Sequence, residues 1–324
     1  LNRATQSAYP PGSVFKIPVM GAALLSGLYT PETVINCGNV WNGLGPGALK
    51  YNWTYGTDIK PPGKINLVQA LQTSCNPYFY TVAFDLDQFN PDFLPEVARQ
   101  FGLGAFTQIG QVAEAPGLVP DPAWKQSAYN DAWRPGDSVN MGIGQGYVLV
   151  TPLQIAEMLA AVRNGGTLYR PQLVQKIAPP GGAPSFEFQP IVNGHLPLTA
   201  AQLQAVRDGL RAVTSAPGGT ARHRFLTLGV PVAGKTGTAQ TGAGLPHSWF
   251  AGYTEAEQPG RPDIAGVVIV ENAGEGSDVA APLFRRIVEL YFFGRPSTLL
   301  PWETDFGVTG TLPPVPTPTP AASP

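Results

Sequence analysis

Charged side chains are scarce in this chain: 20 Lys and Arg and 22 Asp and Glu make up 13% of its 324 residues, for a net charge of -2, about half the usual share of roughly a quarter. No basic run could neutralise a phosphate backbone, which argues against nucleic acid as a partner. Histidine is nearly absent (His195, His223 and His247), and the two cysteines, Cys37 and Cys75, form no CxxC spacing. A structural zinc site is therefore not expected. The two cysteines could in principle pair, and their number leaves the redox compartment open. Long apolar runs are missing too: none approaches the roughly 18 residues of a membrane span. Arg3 is followed by no apolar stretch of the kind a signal peptide carries. Leu1 in place of a methionine reads as the start of a piece of something longer.

What the chain does have is 43% hydrophobic residues, 38 glycines and 35 prolines. That is core material for one large domain or two ordinary ones, cut by many turns, and it does not suggest a coiled coil. From Ser13 to Leu28 the stretch SVFKIPVMGAALLSGL is apolar all round, as in a buried helix, with Pro18 predicting a kink or an irregular first turn. Residues 36–63 lack periodicity and read as a long surface excursion. Helices are expected at 65–74 and from Asn76, with Asn76 as cap and Pro77 in first position. A further helix is expected at Thr151–Gly166 (cap Thr151, stop at Gly165 and Gly166), and another from Leu198. Three strands follow, PVAGKTGTAQ, HSWFAGYT and DIAGVVIVEN, then a closing helix over Val279–Gly294. Helices, then strands, then a helix make an α+β, three-layer α/β/α arrangement. The end of the chain, LPPVPTPTPAASP, reads as a disordered Pro/Thr-rich tail.

Three short patterns carry chemistry. Ser13 and Lys16 lie three residues apart, on one face if the segment is helical, so the amine can reach the hydroxyl and take its proton. Taken alone, the pattern more often means a helix cap and a solvated lysine. Ser74-Cys75-Asn76 sits at a helix junction, where a hydroxyl and a carboxamide can relay protons and hold an amide; alone, it reads as a cap. Lys235-Thr236-Gly237, followed by Thr238, lies in a predicted strand and would suit an edge that binds an extended peptide and its carboxylate, with Gly237 allowing close approach. A P-loop is excluded, because the preceding spacing and the following helix are missing. GIGQG (Gly142–Gly146) lacks the strand–helix context of a dinucleotide loop. Cys75, with no base beside it, reads as a free structural cysteine.

In this order the three patterns, with YPPGSVFK, SCNPYFYTVA, GDSVNMGIGQG and GKTGTAQ…HSWFAGY around them, resemble the transpeptidase domain of a class B penicillin-binding protein, of the PBP2 type that works in cell elongation. The resemblance implies the penicillin-binding transpeptidase/β-lactamase-like fold, with a central antiparallel sheet, over residues 1–296, and leaves 297–324 as tail. It implies a serine-type D-Ala-D-Ala transpeptidase or carboxypeptidase. Ser13 would attack the penultimate D-Ala carbonyl of a peptidoglycan stem peptide, with Lys16 as base. Ser74 and Asn76 would assist proton transfer and position substrate. Lys235, Thr236, Gly237 and Thr238 would hold the carboxylate of substrate or β-lactam, and the backbone N–H groups of Ser13 and Thr238 would form the oxyanion hole. GIGQG would support the site. No metal or cofactor is implied. The expected partners are stem peptides, β-lactams and, for a full-length protein, a membrane glycosyltransferase of the elongation machinery. The expected location is the extracytoplasmic face of the bacterial membrane, although no anchor is present in this chain.

The family places strands of the sheet ahead of its serine helix, and only 12 residues precede Ser13. The sheet is thus expected to lack its N-terminal strands and to leave an edge open. Three other readings share these motifs: a serine β-lactamase, a β-lactam sensor, and an inactive truncated fragment. Against the first, no E-x-x-L-N stretch lies between Asn76 and Lys235, and class D enzymes carry an apolar residue where Asn76 stands.

Overall fold

The computed structural model describes residues 1–242, 244–300 and 303. Pro18 determines how the serine segment folds. A proline is tolerated only in the first turn of an α-helix, where its missing N–H is not needed. Gly12–Phe15 accordingly forms a 3₁₀ turn, and α1 (Lys16–Leu25) begins at Lys16, so that Pro18 falls in its first turn. Nearly all of α1 is buried, as the all-round apolar pattern predicts. The cap positions of these two pieces are Pro11 and Phe15, and neither makes a side-chain cap bond. Ser13 is therefore inside the 3₁₀ turn, and its expected role as a cap is not met.

The next two helices are α2 (Leu67–Gln72) and α3 (Asn76–Phe89). The cap of α3 is Cys75, not Asn76: its sulfur accepts the Tyr78 N–H at 3.3 Å, and Asn76 takes the first helical position. Nor is Cys75 free, because it is bridged to Cys37. This corrects the free-cysteine reading, which rested on sequence neighbours alone. The excursion over 36–63 is correspondingly more ordered than expected. Ile35–Cys37 pairs with Gly63–Ile65, and Val40–Trp41 with Lys50–Tyr51.

α4 (Pro152–Asn164) has the expected Thr151 cap, reinforced by Gln154, and ends at Gly165 in the left-handed region. α5 (Ala200–Ser215) is capped in the same way by Thr199 and Gln202. The three expected strands are β1 (Val232–Ala239), β2 (His247–Thr254) and β3 (Ala265–Val270), joined antiparallel in the order β3-β2-β1. Helix α6 (Ala280–Phe293) closes on Gly294.

Strand alternation splits the core into two layers. Trp249, Ala251 and Tyr253 of β2 join one cluster with Phe15, Ile155 and Val206. Phe250, between them, points the other way and packs with Phe225, Phe284 and Val288. Helices on one face, a sheet, and α6 beneath it give the three-layer α/β/α arrangement. Among the described residues no strand pairs with the outer side of β3, all six of whose residues are half-buried. This is the open edge expected of such a sheet. Most of the expected tail lies outside the described residues; of the part within them, Glu303 accepts the Arg286 Nε–H at 2.7 Å.

Candidate active site

Two glycines bring the serine turn against strand β1, the free edge strand on the other side of the sheet. Gly12 has φ +53°, and a Cβ there would stand 2.7 Å from the carbonyl oxygen of Thr238. A Cβ on Gly237 would lie 2.9–3.0 Å from Trp249, Pro11 and Val14. Gly237 thus serves packing of the turn on the strand, rather than leaving room beside the backbone. GIGQG buttresses the same turn from behind: Gly144 O accepts the Gly12 N–H at 3.0 Å.

The Lys16 amino group is fully buried. It donates to Ser74 O at 2.8 Å, Ser74 Oγ at 3.1 Å and Asn76 Oδ1 at 2.7 Å. None of these bonds goes to Ser13, so the nucleophile–base contact read from the spacing is not formed in the free protein; such contacts often tighten only with substrate. Burial, and then the neighbouring Lys235, pushes the Lys16 pKa well below the usual lysine range. The ammonium form can donate all three bonds; in the neutral form, with two N–H donors and one lone pair, the bond to the Ser74 hydroxyl would reverse, the hydroxyl donating to the amine.

Ser74 is held at φ +55°, which is strained for a residue with a side chain. This turn aims both its carbonyl and its hydroxyl at Lys16. Lys235 is also fully buried, donates to Thr236 O at 3.1 Å, and is brought down to about 7 by desolvation. The hydroxyl of Thr236 lies 2.7 Å from that of Thr220. The hydroxyl of Thr238 donates to Glu275 at 2.6 Å and is therefore already engaged with a carboxylate.

The structure brings all the expected residues to one junction between the 3₁₀ turn, the α2–α3 turn and β1. It also adds residues that sequence reasoning passed over. Asn52 Oδ1 accepts the Asn76 N–H at 3.1 Å, and Tyr51 O accepts from Asn76 Nδ2 at 3.3 Å. Trp53 Nε1 donates to Thr73 O at 3.1 Å. The run KYNWTY, taken as part of a surface loop, is the wall that fixes Ser74-Cys75-Asn76, and the Cys37–Cys75 bridge ties its base. Its signal in the sequence was the cluster of aromatics and asparagine ahead of the motif. Thr220 and Glu275 carried no such signal.

A hollow of about 630 Å³ between Tyr29, Asp85 and Phe89 is at the other end of α3 from this chemistry. Among the described residues no group of His, Cys, Asp and Glu is arranged to hold a metal ion.

Residues 1–289 match the family model of the penicillin binding protein transpeptidase domain. The peptidoglycan D,D-transpeptidase MrdA of Haemophilus influenzae is 34% identical over 312 residues, which span 90% of this chain and 45% of that protein. Pseudomonas aeruginosa PBP2, crystallised in complex with WCK 5153, superposes with a TM-score of 0.76 at 32% identity, over 89% of this chain and 60% of that one. A chain of a peptidoglycan synthase complex, solved for the structural coordination of polymerization and crosslinking, gives 0.78 at 35%, over 93% and 49%. The chain spans about half the length of the curated relatives it matches.

Proposed function

Because the chain belongs to the penicillin-binding protein transpeptidase family, we propose that it is the transpeptidase part of a peptidoglycan D,D-transpeptidase. It would cross-link stem peptides through an acyl-enzyme on Ser13, and be acylated at the same serine by β-lactams. The observation that carries this reading is the pair of fully buried lysines, Lys16 and Lys235, each held below its ordinary pKa beside the Ser13 turn. Burying two amines is costly, and such groups cluster where proton transfer is needed.

In this reading neutral Lys16 takes the proton of Ser13 as its oxygen attacks the penultimate D-Ala carbonyl. The Ser13 and Thr238 N–H groups bind the oxyanion, an effect worth about 10²–10³ in rate per donor. On collapse, the proton passes from Lys16 through the Ser74 hydroxyl to the nitrogen of the departing D-alanine. Asn76 has one amide proton committed to Tyr51 O and keeps the other for the substrate. Lys235, with a pKa near neutrality that a bound carboxylate would raise, and the Thr236 hydroxyl receive that carboxylate; Gly237 keeps the strand against the turn. An amine of a second stem then attacks the ester, forming the cross-link and restoring Ser13.

The working unit is taken as residues 1–296, with 297–324 as a tail. A disulfide beside the site fits the extracytoplasmic face of the membrane, since such bonds persist in oxidising compartments. No helix among the described residues is long and apolar enough to cross a membrane. The likeness to a chain of a synthase complex that couples polymerization to crosslinking supports a glycosyltransferase as partner.

The test is incubation with a fluorescent penicillin. A long-lived covalent adduct, lost in Ser13→Ala, is expected. Rapid turnover of the drug would make the protein a β-lactamase instead, and absence of any adduct would overturn the proposal.

A further inference from the structure

Beside the Ser74 turn lies a second cavity, of about 340 Å³, which the reaction as described does not use. Trp53, Ile59, Lys60, Gln72, Thr73 and Gly218 line it. It touches the site at two places. Thr73 directly precedes Ser74 and accepts the Trp53 indole N–H, so the cavity wall is continuous with the proton-relay turn. Gly218 is two residues from Thr220, whose hydroxyl pairs with that of Thr236. Through Gly218 the cavity approaches Thr220 and Thr236, the end of the site where the transpeptidase reading puts the substrate's terminal carboxylate and so the leaving-group side of the scissile bond.

Its lining is mixed in a specific way. Trp53 is 42% exposed and Ile59 52%, so both present apolar surface to solvent. Lys60 adds an exposed cation, and Gln72, whose Nε2 donates to Pro217 O, adds a fixed amide. The cavity suits an aliphatic arm that carries a carboxylate and peptide groups. An apolar drug-like molecule would leave the Lys60 cation unmatched.

We propose that this cavity is the acceptor subsite, which holds the amine-bearing stem peptide that resolves the acyl-enzyme; this rests on the transpeptidase reading above. The reason is chemical. The first half-reaction expels the amine of D-alanine from the carbonyl, and the second forms a C–N bond at that carbon while the Ser13 ester C–O bond breaks. The amine proton returns to Ser13 Oγ through Ser74 and Lys16, and no further reactant is needed. Both amines cross the same transition-state geometry, so the acceptor enters where D-alanine left, and the rest of its chain extends beyond the carboxylate position. The Trp53 cavity approaches that position through Gly218. Trp53 and Ile59 then cover the aliphatic side chain that bears the amine, and Lys60 pairs with the carboxylate of a diamino acid.

The test separates this subsite from the chemistry it serves. Purified protein is acylated with a D-Ala-D-Ala pentapeptide in the presence of two acceptors. Isotope-labelled D-alanine, whose transfer re-forms the pentapeptide with the label in it, fills only the leaving-group place, while a stem tripeptide ending in a diamino acid would also fill the cavity. The readout is the ratio of transfer to hydrolysis for each acceptor, which does not depend on how fast acyl-enzyme forms. Ile59→Asp sets a carboxylate in the cavity and is expected to lower the tripeptide ratio about tenfold, equivalent to about 1.4 kcal/mol, with the D-alanine ratio within about twofold of its original value. Lys60→Glu, at an exposed position, should act in the same direction and keeps the test open if Ile59→Asp fails to fold. Equal loss for both acceptors, or loss for neither, overturns the subsite. Failure of the unaltered protein to form any adduct with fluorescent penicillin overturns the transpeptidase reading beneath it.

Discussion

Lys235 is an amine that the fold keeps at a cost, and replacing it should make the protein more stable while removing its activity. Burial lowers its pKa from 10.5 to about 7. The unfolded chain therefore holds a proton at this site, between those two values, that the folded chain has lost. Stability rises with pH throughout that window and loses this dependence below about pH 7, where both states are protonated. At about 1.4 kcal/mol per pKa unit, the penalty is about 4 kcal/mol at pH 7 and about 2 kcal/mol at pH 9. Lys235→Met keeps the length and apolar stem of the side chain but carries no proton. It gives up one hydrogen bond to Thr236 O, worth about 1 kcal/mol, and it relieves the repulsion that Lys235 exerts on Lys16. The variant should exceed the original protein by about 3 kcal/mol at pH 7, with an advantage about 2 kcal/mol smaller at pH 9. Urea denaturation of both proteins at the two pH values measures this, and the change with pH is the decisive quantity because packing and hydrogen-bond contributions cancel from it. A difference that does not vary between pH 7 and 9 would refute the claim that Lys235 is buried with its proton weakly held. Acylation by penicillin should fall to background in the same variant.

Three further perturbations address the architecture around the site. Replacing Cys37 and Cys75 by alanine opens a link between residues 38 apart in sequence, and loop-closure entropy predicts a loss of about 4 kcal/mol; an unchanged denaturation midpoint would count against it. Asn52→Ala removes a side chain that is 3% exposed, accepts the Asn76 N–H and donates to Thr54 Oγ1 at 3.0 Å. It should cost about 2 kcal/mol and slow penicillin acylation, and a variant acylated at the original rate would show that the KYNWTY wall does not position Asn76. Gly237→Ala forces a Cβ to within 3.0 Å of Pro11 and Val14, so acylation should fall while secondary structure, read by circular dichroism, is kept; normal acylation would refute the close fit of turn and strand.

Much of this molecule could be read from the chain because the governing physics is local. The Thr151 cap, Pro152 and Gly165 fix α4 within a few bonds of themselves. The apolar strands over 232–270 follow from composition and from the turns between them. Ser13-Lys16, Ser74-Asn76 and Lys235-Thr236 were legible because their order and spacing are specific in combination. The reading was wrong where the deciding partner is distant in sequence. Cys75 reads as free from its sequence neighbours, none of which is a base, while its partner Cys37 lies 38 residues away; Asn76 reads as the cap because Pro77 suits the first helical position, and the structure gives that cap to the Cys75 sulfur. KYNWTY seemed a surface loop because it has no periodicity; its order comes from hydrogen bonds to another element.

The sequence by itself thus determined the family and the helices and strands that carry the three motifs, since each depends on residues close together in the chain. Only the tertiary structure decided that Lys16 is bound to Ser74 and Asn76 while Ser13 is left without that contact, and that Glu275 holds Thr238. The pKa values of the two lysines belong to this second class as well. An amine loses its proton because of what surrounds it in space, and those surroundings are built from α1, α3 and β1 together.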